Sequence, residues 1–100
     1  MALVWTSKNN DIDSMRAHID ERLKQTHIPA FIVVSWKNDE LSVIINHGGK
    51  SEFRLALSVS PNGLRIHETK RDIALLHRAF VGKVEKMIDK VLAESGFVRS

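Results

Sequence analysis

Cysteine and tyrosine are both absent from the 100 residues, and there are only two prolines. Without cysteine the chain has no disulfide, no thiol nucleophile and no thiolate metal site. This composition fits a reducing compartment, so a cytoplasmic location is the expectation. Long apolar runs are missing too. The longest, Ala30 to Val34, has five residues, against the ~20 that a spanning helix needs. The opening Met-Ala-Leu-Val-Trp-Thr lacks a basic n-region and a long apolar stretch, so neither membrane insertion nor a secretory leader is expected. Neither sign of charge dominates: 15 Lys and Arg stand against 12 Asp and Glu, a net charge of +3. The resulting pI of about 9.5 leans toward an anionic partner such as nucleic acid, with a solvated surface as the plain alternative.

Signatures of local chemistry are also missing. There is no nucleophile elbow, no phosphate-binding loop and no dinucleotide fingerprint. Gly48-Gly49-Lys50-Ser51 resembles the tail of a phosphate loop but lacks the upstream glycine and the following helix, and it reads as a hairpin turn. His18, His27, His47, His67 and His77 show no paired ligand spacing, so no metal and no cofactor are expected. His67 and Glu68, as neighbours on a strand, should point to opposite faces rather than form a base–carboxylate pair. A catalytic site dispersed over the fold stays open as a third, weaker possibility.

What is present is a globular composition, 43% hydrophobic and 27% charged. A chain of this length can bury one core unaided, so a single α+β domain over residues 1–100 is expected. Ile12, Met15, Ile19 and Leu23 step by three and four, which predicts a helix from Asp11 to Gln25 with Asn10 as N-cap. Pro29 requires that helix to end before Ile28. Near the C-terminus Ile73, Leu76, Phe80, Val84, Met87 and Val91 fall on one line. With Thr69 and Asp72 as a capping box and Gly96 as a left-handed stop, they predict one long second helix. Gly82, on its outer side, suggests close approach of another backbone.

Between the helices the period changes to two. Strands are predicted at 30–36, 41–46, 53–59 and 64–67, separated by turns at Lys37–Glu40, Gly48–Lys50 and Ser60–Gly63. Short turns make them an antiparallel meander. The predicted fold is therefore α-β-β-β-β-α with both helices on one face. Leu3, Val4 and Trp5 add either a short edge strand or a packed arm. In the last hairpin Val59 should pair with Leu64 and Leu57 with Ile66, because any one-residue slip would mix the faces. The order is similar in outline to double-stranded-RNA-binding domains. It departs from them in having a fourth strand, and Lys70, Arg71 and then Asp72 where those domains open the last helix with a cluster of lysines; topology alone carries no function.

Two surfaces follow. The uncovered sheet face should gather Arg54, Arg65 and His67, with Trp36 beside them as a base-stacking platform in one register of its strand; Arg71, Arg78 and Lys86 form a second basic line on the outer side of the last helix. A non-catalytic module that binds nucleic acid on this open face is the leading expectation. The second surface is the strand at 30–36, apolar on both faces although a meander leaves it at an edge. It calls for a cover, either the N-terminal arm or a second copy of the chain. The alternative function is accordingly a protein-interaction or regulatory module that homodimerises through this strand.

Overall fold

The computed structural model describes residues Leu3 to Arg99. Elements follow the order β1 (Val4–Ser7), α1 (Ile12–Gln25), β2 (Ile32–Lys37), β3 (Glu40–Asn46), β4 (Lys50–Ser60), β5 (Gly63–Asp72), a 3-10 helix (Leu75–Phe80), α2 (Val81–Glu94) and β6 (Val98–Arg99). The strands form one six-stranded antiparallel sheet in the order β2-β3-β4-β5-β1-β6. The expected meander is β2 to β5. The N-terminal segment joins it as a true strand, inserted between β5 and β6.

Alternation within the meander decides which face is buried. Leu41, Val43 and Ile45 on β3, and Phe53, Leu55 and Leu57 on β4, form the core with Met15 and Ile19 of α1 and Val84, Ile88, Val91 and Leu92 of α2. Both helices therefore cover the same side. Each is fastened to the sheet by an indole that donates to a helix carboxylate. Trp36 Nε1 lies 2.6 Å from Asp20 Oδ1 of α1, and Trp5 Nε1 lies 2.6 Å from Asp89 Oδ1 of α2. Guanidinium groups cap both rings, Arg16 over Trp36 and Arg99 over Trp5.

The termini of α1 and α2 are set by local chemistry. Asp11, one residue later than expected, caps α1 by accepting from the Ser14 amide. Gly96 ends α2 at a φ of +97. Its amide donates to the Ala93 carbonyl and the Phe97 amide to that of Leu92, the paired bonds of a Schellman ending, with Phe97 buried beside them.

The second helix differs from its sequence reading. Thr69 and Asp72 do not cap it, since β5 runs on to Asp72. The long β4 needs a partner along its whole length, and a bulge supplies one. Leu55 faces Glu68 and Arg54 faces Lys70, so Thr69 is the extra residue. Its hydroxyl donates toward Glu40 Oε2 and the Arg54 carbonyl instead of capping a helix. After Ala74 the chain forms the 3-10 turn before α2 proper begins. This breaks the expected apolar line: Leu76 is 68% exposed, Phe80 and Met87 are half-buried, and Ile88 and Leu92 take core places. Among the described residues nothing lies within 4 Å of where a Gly82 Cβ would sit, and the structure gives no reason for this glycine.

The last hairpin has the expected register, with Val59 opposite Leu64 and Leu57 opposite Ile66. Its loop is tighter than expected, because Ser60 and Gly63 also pair and leave Pro61-Asn62 as the connection. Val59, near the end of β4, is exposed. Gly63 is required: a Cβ there would sit 2.0 Å from the Ser7 carbonyl oxygen of β1.

Candidate functional site

Three places in the fold could carry chemistry: the uncovered sheet face, a buried serine–histidine contact, and the edge and end of the sheet around β2.

The uncovered face holds Arg54 opposite Ser42 and Lys70, His67 opposite Ala56 and Val4, and Arg65 opposite Ser58 and Thr6. Arg54, Arg65 and His67 thus share one face, as expected. The charge pattern is less basic than the sequence suggested. Glu52 sits among the cations and receives Arg54 Nε at 2.7 Å, Lys70 Nζ at 3.1 Å and the Ser42 hydroxyl at 3.1 Å. Glu40 adds a second carboxylate 3.7 Å from Arg54. Donation from Arg54 first, then Lys70, holds the Glu52 carboxyl at about 2 against an ordinary 4.5. The sign follows from linkage. A depressed folded-state value stabilises the fold above about 4.5, and that stabilisation is lost as pH falls toward about 2. Acid titration of unfolding free energy is expected to show this loss, and Glu52→Gln to flatten it across that interval. An unchanged acid limb in the variant would assign the loss to other carboxylates.

The remaining expected residues do not join this face. Trp36 points to the helix side, bound to Asp20 and covered by Arg16, because Val33 and Ser35, not Ile32, Val34 and Trp36, face outward on β2. It is therefore no stacking platform. Arg71 also lies on the helix side. It sits over the Phe53 ring and pairs with Glu68 and with Glu85 of α2. Arg78 is exposed on the 3-10 helix, so the basic line expected along the last helix does not form. On the open face, Arg65 has no carboxylate within ion-pair distance among the described residues. The Nδ1 atom of neighbouring His67 is buried without a hydrogen-bond partner.

Sequence reasoning missed the serine–histidine contact. Ser51 Oγ lies 2.6 Å from His77 Nδ1, both side chains are buried, and His77 Nε2 lies 2.8 Å from the His47 carbonyl oxygen. A carbonyl can only accept, so Nε2 carries a proton; in the neutral ring Nδ1 then accepts from the serine hydroxyl. Ser51 Oγ in turn accepts from the Ala74 amide at 2.8 Å. The chain of bonds pins the 3-10 helix to the β3–β4 hairpin. The hydroxyl is closed off from solvent, which suits a fastener rather than a nucleophile. Among the described residues no three His, Asp or Glu side chains are grouped to hold a metal ion.

The sheet edge is the third place. The N-terminal arm, one of the two covers expected for β2, lies on β5 at the other side of the sheet, where Leu3 and Trp5 are buried. Strand β2 is left at the edge. The Asn46 amide donates to the Phe31 carbonyl. Alternation along an antiparallel pair then directs the backbone groups of Val33, Ser35 and Lys37 to β3 and those of Val34 and Trp36 to the free side. The Ile32 amide is already engaged by the Pro29 carbonyl. Alongside this edge runs a shallow groove lined by Leu23, Ile28, Pro29, Ile32 and Val34, with Asp20 and Lys24 on its rim. On the opposite side of the strand Val33 is 52% exposed next to Ile44. The signal for this edge was in the sequence, as the doubly apolar strand; the groove depends on where α1 ends.

No helix in the described residues is long and apolar enough to cross a membrane. No family model matches the chain, and neither a characterised protein nor a solved structure is significantly similar to it.

Proposed function

We propose that this chain is a protein-interaction module that pairs with a second copy of itself through β2, extending the sheet across a two-fold axis. The observation that carries this reading is a regular edge strand with free donors and acceptors at Val34 and Trp36, flanked by an apolar groove. Such an edge attracts another strand unless it is guarded. Of the usual guards, β2 has a charged side chain only at its end, Lys37, and no bulge or proline.

Chemistry favours a copy of the same strand as occupant. If Val34 of one copy pairs with Trp36 of the other, each satisfies the other's amide and carbonyl, and the busy Ile32 amide is not needed. Ser35 then meets its symmetry mate on the open face, where its small side chain permits the close approach of a non-hydrogen-bonded pair. Lys37 falls opposite Val33, so no like charges meet. The axis also brings the Asp20 and Lys24 rim of one groove toward the same rim reversed, an isologous arrangement. Sedimentation equilibrium is expected to give a mass that rises to twice that of the chain with concentration. A constant monomer mass up to roughly 1 mM, where even an interaction of about −4 kcal/mol is visible, would remove this reading.

A second reading, nucleic-acid binding on the open face, draws support from Arg65, which has no ion pair among the described residues, beside His67. The carboxylates of Glu52 and Glu40 weigh against it, since they occupy Arg54 and Lys70 and would repel phosphates. If it holds, RNA or DNA binding at low salt weakens steeply as salt rises and is lost in Arg65→Glu. Absence of binding by the unmodified protein at low salt would end it.

A further inference from the structure

An apolar pocket lies at the end of the sheet where the α1–β2 connection meets α2. Phe31, Ile45, Phe80, Val84 and Met87 form its walls, with Pro29 and Ile32 at the side shared with the edge groove. Phe31 and Phe80 stand 6.3 Å apart, inclined to one another, as an aromatic wall. The polar side chains of the lining are His27 and Lys83, both exposed at its mouth. No Asp or Glu lines it, and among the described residues Lys83 forms no ion pair.

We infer that this pocket binds a small anionic amphiphile, a medium-chain carboxylate, with its tail among the apolar walls and its head at Lys83. The volume of about 330 Å³ lies at the low end for ligand sites, ~300–1,000 Å³, which suits a short tail. The interior offers no side-chain donor or acceptor to orient a heterocycle or a sugar, so recognition there is by apolar contact. The charge at the mouth is positive and without a partner of its own, so it selects the sign of the head. Half-buried Met87 adds a flexible, polarisable wall that adapts to an unbranched chain. Pro29 and Ile32 are shared with the edge groove, but Phe80, Lys83, Val84 and Met87 lie off the β2 edge, so Lys83 variants test this site without altering the strand that would pair.

The test is titration of the full chain with decanoate below its micelle concentration, with decylammonium as the opposite-charge probe. Calorimetry measures affinity and amide chemical shifts locate the site. Decanoate is expected to bind saturably, with shifts confined to residues 27–32, 45 and 80–87, and decylammonium to bind at least about tenfold more weakly. Lys83→Glu, an exposed change whose folding is checked by thermal melting, is expected to reverse that preference. Lys83→Met, which keeps the stem and removes the charge, should bring the two probes level. Lack of saturable decanoate binding, shifts centred elsewhere, or equal affinities for both probes in the unmodified chain would each overturn the inference. So would a preference unaltered by Lys83→Glu.

Discussion

Phe53→Ala is expected to lower the unfolding free energy by about 3–5 kcal/mol, the usual cost of removing a buried aromatic side chain. Phe53 is fully buried on β4, between Val43 of β3 and Arg71 of β5. Its ring has the Arg71 guanidinium 5.0 Å from its centroid, so truncation also removes the surface on which that cation rests. Arg71 in turn bridges Glu68 on its own strand and Glu85 on α2, and loosening it weakens the attachment of that helix. A domain of this size has about 5–15 kcal/mol in total, so the loss is a large share. At about 4–8 °C per kcal/mol the melting temperature should fall by at least ~12 °C. The contrast is Phe80→Ala. The sequence places Phe80 in the centre of the core line, but it is half-buried on the 3-10 helix, and its loss should cost only about 1–2 kcal/mol. Denaturant unfolding of the two variants side by side checks the assignment. Equal costs would mean that the pocket end is packed as tightly as the centre.

That contrast shows where the sequence is legible. The period-two stretches gave the meander and the register of its last hairpin, because each inward position is held by neighbours on both sides. In residues 69–80 two signals coincide. Thr69 and Asp72 have capping spacing and Ile73, Leu76 and Phe80 have helical spacing, yet β4 needs a partner strand and a bulge at Thr69 provides it. Local propensity favoured a helix; tertiary pairing won. The open face was legible as a set of positions but not as a potential. Glu52 and Arg54 sit two apart on one strand and so share a face, while Lys70 reaches that same carboxylate only through the bulge. Trp36 could not be placed from pattern because its strand is apolar on both sides, and the Asp20 carboxylate that fixes it comes from a different element.

The same strand supplies a test that separates pairing from folding. Proline removes one amide donor, and its effect depends on where that donor points. The Val33 amide faces β3 and the Val34 amide faces the free edge, as the Phe31–Asn46 bond and the continuous β2–β3 register require. Val33→Pro should break a ladder bond and press the ring against β3, costing about 3 kcal/mol or more in the monomer. Val34→Pro loses no bond within the chain, and the residue before it is already extended, as proline prefers. Its monomer cost should be about 1 kcal/mol, from the trimmed contact with α1. For the proposed dimer the order reverses. Val34→Pro deletes a donor at each symmetric position and sets the ring in the path of the incoming strand, so self-association should vanish from sedimentation while the circular dichroism spectrum of the dilute protein stays normal and its melting temperature falls by only about 4–8 °C, against at least ~12 °C for Val33→Pro. If Val34→Pro associates as strongly as the unmodified chain, the free side of β2 is not the interface. If instead Val33→Pro melts normally and Val34→Pro does not, the backbone groups of β2 point the other way, and the edge offers its partner Val33 and Ser35 in place of Val34 and Trp36.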